Sequence, residues 1–124
     1  RGELRLVCVS DTHGFELPSR VPSGDVLLHC GDWAAEGNRS HTARRAAAFD
    51  EWLAAQPHPT KIVLRGNHDP HDASFPLSKA LYYTAPASLT AAGVTFALVP
   101  FMRRGSPLRE RGLPSGEILA THLP

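Results

Sequence analysis

Lys61-Ile62-Val63-Leu64-Arg65-Gly66-Asn67-His68-Asp69-Pro70 is the stretch from which the fold of this chain is read. Ile62, Val63 and Leu64 are apolar and β-favouring, the pattern of a buried strand. Gly66 ends that strand, and glycine lets a backbone turn sharply and come close to a ligand. Behind it stand three polar groups of distinct chemistry. Asn67 offers a hard carbonyl oxygen, His68 an imidazole, and Asp69 a carboxylate able to fix that imidazole. Gly-Asn and His-Asp-Pro are also ordinary turn residues, so the stretch takes its meaning from other strand ends in the chain.

Two such ends lie upstream. Leu4 to Val9 reads as a strand that runs into Ser10-Asp11-Thr12-His13-Gly14. In an extended segment alternate residues point the same way, which would bring Asp11 and His13 to one point beyond the strand. A carboxylate and an imidazole so placed form a recurring metal-binding pair. Val26 to Cys30 reads as the second strand, ending in Gly31-Asp32, with His29 inside it as a core or supporting histidine. Phe15 to Gly24 holds two prolines and reads as a loop.

Between the second strand and Lys61, residues Ser40 to Gln56 carry Ala43, Ala46, Ala47, Phe49, Trp52 and Leu53 at spacings of three and four. This predicts an amphipathic helix, with Asn38 or Ser40 as its cap and Arg44, Arg45, Asp50 and Glu51 mostly on the other faces. Pro57 and Pro59 end it. Strand, helix and strand then form a parallel, right-handed unit. Downstream, Leu81-Tyr82-Tyr83 reads as a short extended piece. Val94 to Val99 reads as a strand entered from the Ala92-Gly93 turn, and Ile118-Leu119-Ala120 as a last strand before Thr121-His122-Leu123-Pro124. The loop from Met102 to Gly116 contains Arg103, Arg104, Arg109 and Arg111. It reads as a solvated loop first and as a basic rim for phosphate second.

At 124 residues the chain suits one domain, and 42% hydrophobic with 20% charged residues is a globular composition. A formal net charge of +1 points neither toward nor away from nucleic acid. No apolar run reaches the length of a membrane span. The first residue is Arg1, which suggests a mature or excised piece. Cys8 and Cys30 sit in strand patterns and read as buried free thiols, from which a cytoplasmic location is expected.

Four strands thus end in Asp11/His13, Asp32, Asn67/His68 and His122. In a largely parallel sheet the strand C-termini share one edge, where open α/β sheets bind ligands. Unrelated turns would not be expected to carry only Asp, Asn and His. The ordered set Asp11-x-His13, Gly31-Asp32, Gly66-Asn67-His68-Asp69 and Thr121-His122 resembles the motifs of the calcineurin-like metallophosphoesterases. The likeness is greatest to the small branch of metallophosphoesterase-domain-containing proteins, and it covers nearly the whole chain. It implies a layered α/β sandwich over residues 1–124, with βαβ units and a metal site at the strand C-terminal ends. It also implies that Asp11 and His13 hold a first metal, that Asp32 bridges two, and that Asn67 and His122 hold the second. His68 is then expected near the phosphate with Asn67, protonating the leaving oxygen, with Asp69 orienting His68.

The chemistry suits that set. Two divalent ions about 3.5–4 Å apart acidify a water and clamp phosphoryl oxygens, giving a metal-bound hydroxide in line with the leaving group. Oxygen and nitrogen ligands without thiolate fit Mn, Fe or Zn. The expected function is hydrolysis of a phosphodiester or phosphomonoester. Its partner is a small phosphoester, a cyclic nucleotide or other phosphodiester among them, with no membrane surface and no nucleic acid. Gly31-Asp32-Trp33-Ala34-Ala35-Glu36-Gly37 departs from the Gly-Asp-x-x-Asp-Arg-Gly of phosphoprotein phosphatases. The family's Gly-x-His-x-His motif is absent before Pro124, which leads to the expectation of a C-terminally truncated domain. It also keeps open the alternative of a catalytically impaired metal-binding interaction module. Arg65 is bulky where a small residue would pack more easily, and nothing in the sequence explains it.

Overall fold

The apolar runs on either side of the helical segment lie side by side as parallel strands, and the remaining elements are laid against them. The structure is a computed structural model and describes residues 3–15, 21–34, 39–106 and 112–122. Among these residues the elements are β1 (Leu6–Val9), β2 (Val26–His29), α1 (Arg39–Ala54), β3 (Thr60–Leu64), β4 (Leu81–Tyr83), β5 (Ala87–Ala91), β6 (Val94–Val99) and β7 (Ile118–Thr121). β1 to β4 form one parallel sheet in the order β1-β2-β3-β4. In the second sheet β5 pairs antiparallel with β6, and β7 pairs parallel with β6. The turn joining β5 to β6 has positive φ at both Ala92 and Gly93, the condition for a two-residue hairpin whose twist matches its strands.

Side-chain alternation along β2 and β3 decides what each face meets. Val26, Leu28, Ile62 and Leu64 face the second sheet and pack with Phe96, Leu98 and Ala120. Leu27 and Val63 face the other way, into a cluster with Phe49 and Leu53 of α1, Trp33 and Phe75. The result is three layers: helix, parallel sheet, second sheet. This is the α/β sandwich that the motifs implied. It differs from the sequence reading in one respect, since the strand leading to His122 belongs to the second sheet and not to the parallel one.

Local differences have local causes. β1 begins at Leu6 because Arg5 is occupied by Asp25: its N–H donates to the Asp25 carboxylate at 2.8 Å, and its carbonyl accepts the Asp25 N–H at 2.8 Å. Ser40 lies inside α1 and not at its cap, and Asn38 falls outside the described residues. Gln56 closes the helix end, donating to the Trp52 carbonyl at 2.9 Å and accepting Val21 N–H at 3.2 Å. Asp50 is buried, not solvent-facing, because its carboxylate accepts the Leu77 and Ser78 N–H groups at 2.9 and 2.8 Å. Both cysteines are free, but Cys8 is exposed, since it faces the open side of a sheet edge, and only Cys30 is partly covered. Burial pushes the Cys30 thiol up to about 11. Among the described residues no helix is long and apolar enough to cross a membrane.

Candidate metal centre

Three turns at the C-terminal ends of β1, β2 and β3 interlock. The Asp11 N–H donates to the Gly31 carbonyl at 2.9 Å, and the His13 N–H to the Asp32 carbonyl at 3.0 Å. Asp11 and His13 do not reach the site by alternation along an extended strand, as the spacing suggested. The strand has ended, and Asp11 (φ 55°), His13 (φ 47°) and Asp32 (φ 61°) all adopt the left-handed region. That conformation costs about 1 kcal/mol or more per non-glycine residue and persists where the surroundings impose it. Here the imposing contacts are tight. A Cβ on Gly66 would collide with the Asp32 backbone nitrogen and carboxylate, and one on Gly31 would lie 2.9 Å from Gly66.

Asp69 is the clamp. One of its carboxylate oxygens accepts the N–H groups of Asp32 and Gly66, each at 2.7 Å, and the other accepts the Ala34 N–H at 2.8 Å. Desolvation by burial raises its pKa, and the three backbone donors oppose that rise. These bonds correct the expectation that Asp69 orients His68: the carboxylate is committed to backbone amides and fixes the loops instead.

The ligand atoms then converge. Asp11, His13 and Asp32 each offer one within 4.8 Å of the others. His13 Nδ1 donates to the Ala34 carbonyl at 3.3 Å and His122 Nδ1 to the Cys30 carbonyl at 2.8 Å, so each ring turns a bare Nε2 inward. Both Nε2 atoms lie 3.6 Å from the same Asp32 oxygen, Oδ2. Asn67 Oδ1 sits 3.0 Å from His122 Nε2. Three acceptors, Asn67 Oδ1, His122 Nε2 and Asp32 Oδ2, thus face one another without a proton between them. A cation satisfies such a set. Without one, turning the amide over lets its nitrogen donate to Asp32 at 3.1 and 3.3 Å and to His122 at 3.0 Å. All five expected ligands are therefore gathered, with Asp32 placed between the His13 and His122 halves.

A family model for calcineurin-like phosphoesterases matches residues 4–122. The chain belongs to the calcineurin-like phosphoesterase family. Metallophosphoesterase domain-containing protein 1 of Homo sapiens is 46% identical to this chain over 68 residues, which cover 55% of the chain and 20% of the human protein. UPF0046 protein K07C11.7 of Caenorhabditis elegans is 41% identical over 66 residues, 53% of the chain and 21% of that protein. The matched stretch is thus about a fifth of the length of both relatives. Probable rhamnogalacturonate lyase C of Emericella nidulans shares 41% identity over 66 residues, only 6% of its own length, too small a share for its name to bear on this chain.

The structure shows how two further residues support this candidate site. His29 is buried, accepts the Gly31 N–H at Nδ1 (3.2 Å) and lies 3.0 Å from the Thr12 hydroxyl at Nε2, tying the first two turns together. Burial lowers its pKa to about 3, so it is neutral there. Arg65 is explained by its contacts: Nε donates to the Asp69 carbonyl at 2.8 Å, and the guanidinium lies 5.7 Å from the centre of the Phe101 ring. His68 is exposed at the mouth, its N–H donating to Asp32 Oδ1 at 3.0 Å and its ring 5.2 Å from that of His13. Of the loop arginines, Arg103 and Arg104 are exposed, and Arg109 and Arg111 fall outside the described residues.

Proposed function

We propose that this chain hydrolyses a small phosphoester, a phosphodiester or phosphomonoester, using two divalent ions held by Asp11, His13, Asp32, Asn67 and His122. The observation that carries this is the Asp32 Oδ2 atom standing 3.6 Å from both His13 Nε2 and His122 Nε2. One carboxylate oxygen between two inward-facing imidazoles could serve ions held on either side. Mn, Fe or Zn suits the mixed oxygen and nitrogen donors. When bound, such ions would polarise a phosphoryl oxygen and acidify water.

The chain's own residues do the rest. His68 projects from the same loop as Asn67, close to His13 and open to solvent. In its protonated form it can give a proton to the leaving oxygen as the P–O bond breaks, so that an alcohol departs. Asp69 acts at one remove, holding the Gly31-Asp32 and Gly66-Asn67 turns in register through backbone amides. Such support matters because misplacement by about 1 Å can cost a hundredfold in rate.

His68→Ala is the test. Turnover of a phosphodiester with added Mn should fall by about 10²–10⁴ while metal content stays unchanged. Unchanged turnover with lost metal would overturn the assignment of His68. Metal uptake with no hydrolysis of any phosphoester by the parent chain would favour the interaction-module reading.

A further inference from the structure

Arg65 follows the last residue of β3, directly before the Gly66–Asp69 turn, and it is fastened on every side. Its N–H donates to the Tyr83 carbonyl at 2.9 Å, and its own carbonyl accepts the Phe101 N–H at 2.8 Å. Nε donates to the Asp69 carbonyl at 2.8 Å, and a terminal nitrogen to the Phe101 carbonyl at 3.4 Å. Those partners are neutral carbonyls. No carboxylate pairs with this half-buried guanidinium among the described residues. The two bonds use two of its five N–H donors and leave three for a ligand. A cation immobilised beside a ring, without a counter-ion, is prepared for an anion at little further cost in side-chain entropy.

Two cavities share Arg65 and His71 in their walls. The larger, of about 620 Å³, reaches His68 and is also lined by Asp69, whose carboxylate is buried against backbone amides, and by the exposed Asp72. The smaller, of about 380 Å³, is lined by Arg65, His71, Thr84, Phe101, Arg103 and Arg104, among others, and by no carboxylate. A leaving group departing past His68 enters the larger cavity. An anion on its far end is repelled by the exposed Asp72 and attracted by the three arginines of the smaller one.

We infer that the smaller cavity is an anion subsite with Arg65 as its fixed donor, and that the preferred substrates carry a second anionic group, carboxylate or phosphate, on the leaving group. The substrate half of this rests on the hydrolase reading; the subsite does not.

Two measurements test it. Inorganic phosphate is titrated into the metal-free chain and followed by amide NMR. Saturable shifts are expected at Arg65, Thr84 and Phe101, weakened about tenfold in Arg65→Met, the loss of one charge-assisted pair. The rim double variant Arg103→Met/Arg104→Met alters only exposed side chains, so it folds whatever happens to Arg65→Met, and it should weaken binding severalfold. Turnover by the Mn-loaded chain is then compared for 4-carboxyphenyl phosphate and phenyl phosphate, whose scissile bonds are alike. The ratio of their kcat/KM values should favour the carboxylate and fall about tenfold in Arg65→Met; a ratio cancels any general loss of activity. No saturable shifts, or the same affinity in both variants, would overturn the subsite. A ratio of one in the parent chain would overturn the substrate preference. Arg65-dependent phosphate binding with neither ester hydrolysed would uphold the subsite while sinking the hydrolase reading.

Discussion

The parallel sheet delivers Asp11, His13, Asp32 and Asn67 to the candidate metal centre on turns that directly follow β1, β2 and β3, whereas the second sheet delivers His122 alone, one residue past β7. The first group is positioned by contacts among neighbouring turns of one sheet: left-handed backbone at three residues, two close glycines, and one carboxylate clamping three amides. His122 is positioned by the docking of one sheet on the other. Phe96, Leu98 and Ala120 pack on Val26, Leu28, Ile62 and Leu64, and only then can His122 reach the Cys30 carbonyl and Asp32. One half of the site is therefore assembled within a single sheet, and the other is a consequence of the core between the sheets.

The largest expected effect separates these halves chemically. Asp32→Asn removes the charged oxygen common to both and should abolish tight metal binding and lower turnover about a thousandfold, equivalent to about 4 kcal/mol. His122→Ala should release one ion and retain the other at the Asp11-His13-Asp32 cluster. Elemental analysis of both variants distinguishes them, and equal metal loss would mean the halves are not separable. Next, Phe96→Ala hollows the layer between the sheets and should cost about 3–5 kcal/mol in chemical denaturation. A loss below about 1 kcal/mol would show that the sheets are held together by something other than this core. Asp69→Ala strikes the half built within the parallel sheet, leaving the Asp32, Ala34 and Gly66 amides without their acceptor. It should cost about 1–3 kcal/mol in stability, and metal affinity should fall although no ligand is removed. Unaltered metal affinity would end the clamp argument.

The smallest effect is a pH dependence. Below pH 6.5 the unfolded chain takes up a proton at His29 that the folded chain refuses until about pH 3. This residue therefore lowers stability as pH falls through that window, by up to about 1.4 kcal/mol per pH unit. Denaturation at pH 7 and pH 5 should show the decline, and His29→Gln should flatten it. An unchanged slope in the variant would place the titration elsewhere.

The parts of the fold legible in the sequence were those with a strong local pattern. Ile62 to Leu64, Val26 to His29 and the Phe49-Trp52-Leu53 stripe announce two buried strands and the helix that covers them, because a period is fixed by backbone geometry wherever the segment is placed. The chemistry of Asp11, His13, Asp32, Asn67 and His122 was legible from residue type, and their family from the order of their motifs. Four matters needed the tertiary structure. Asp69 turned from a partner of His68 into a backbone clamp, because its amide partners lie more than thirty positions away or across a tight turn. Asp50 turned from a surface charge into a buried acceptor because the Leu77-Ser78 turn presents two amides to it. Arg65 gained a reason only when Phe101 came to lie beside it. His122 proved to come from a second sheet, because inter-sheet docking is set by side-chain packing, which has no period along the chain. Sequence fixes which groups are offered and which elements carry them; long-range packing fixes which groups meet, since distances between elements are decided by the core they share.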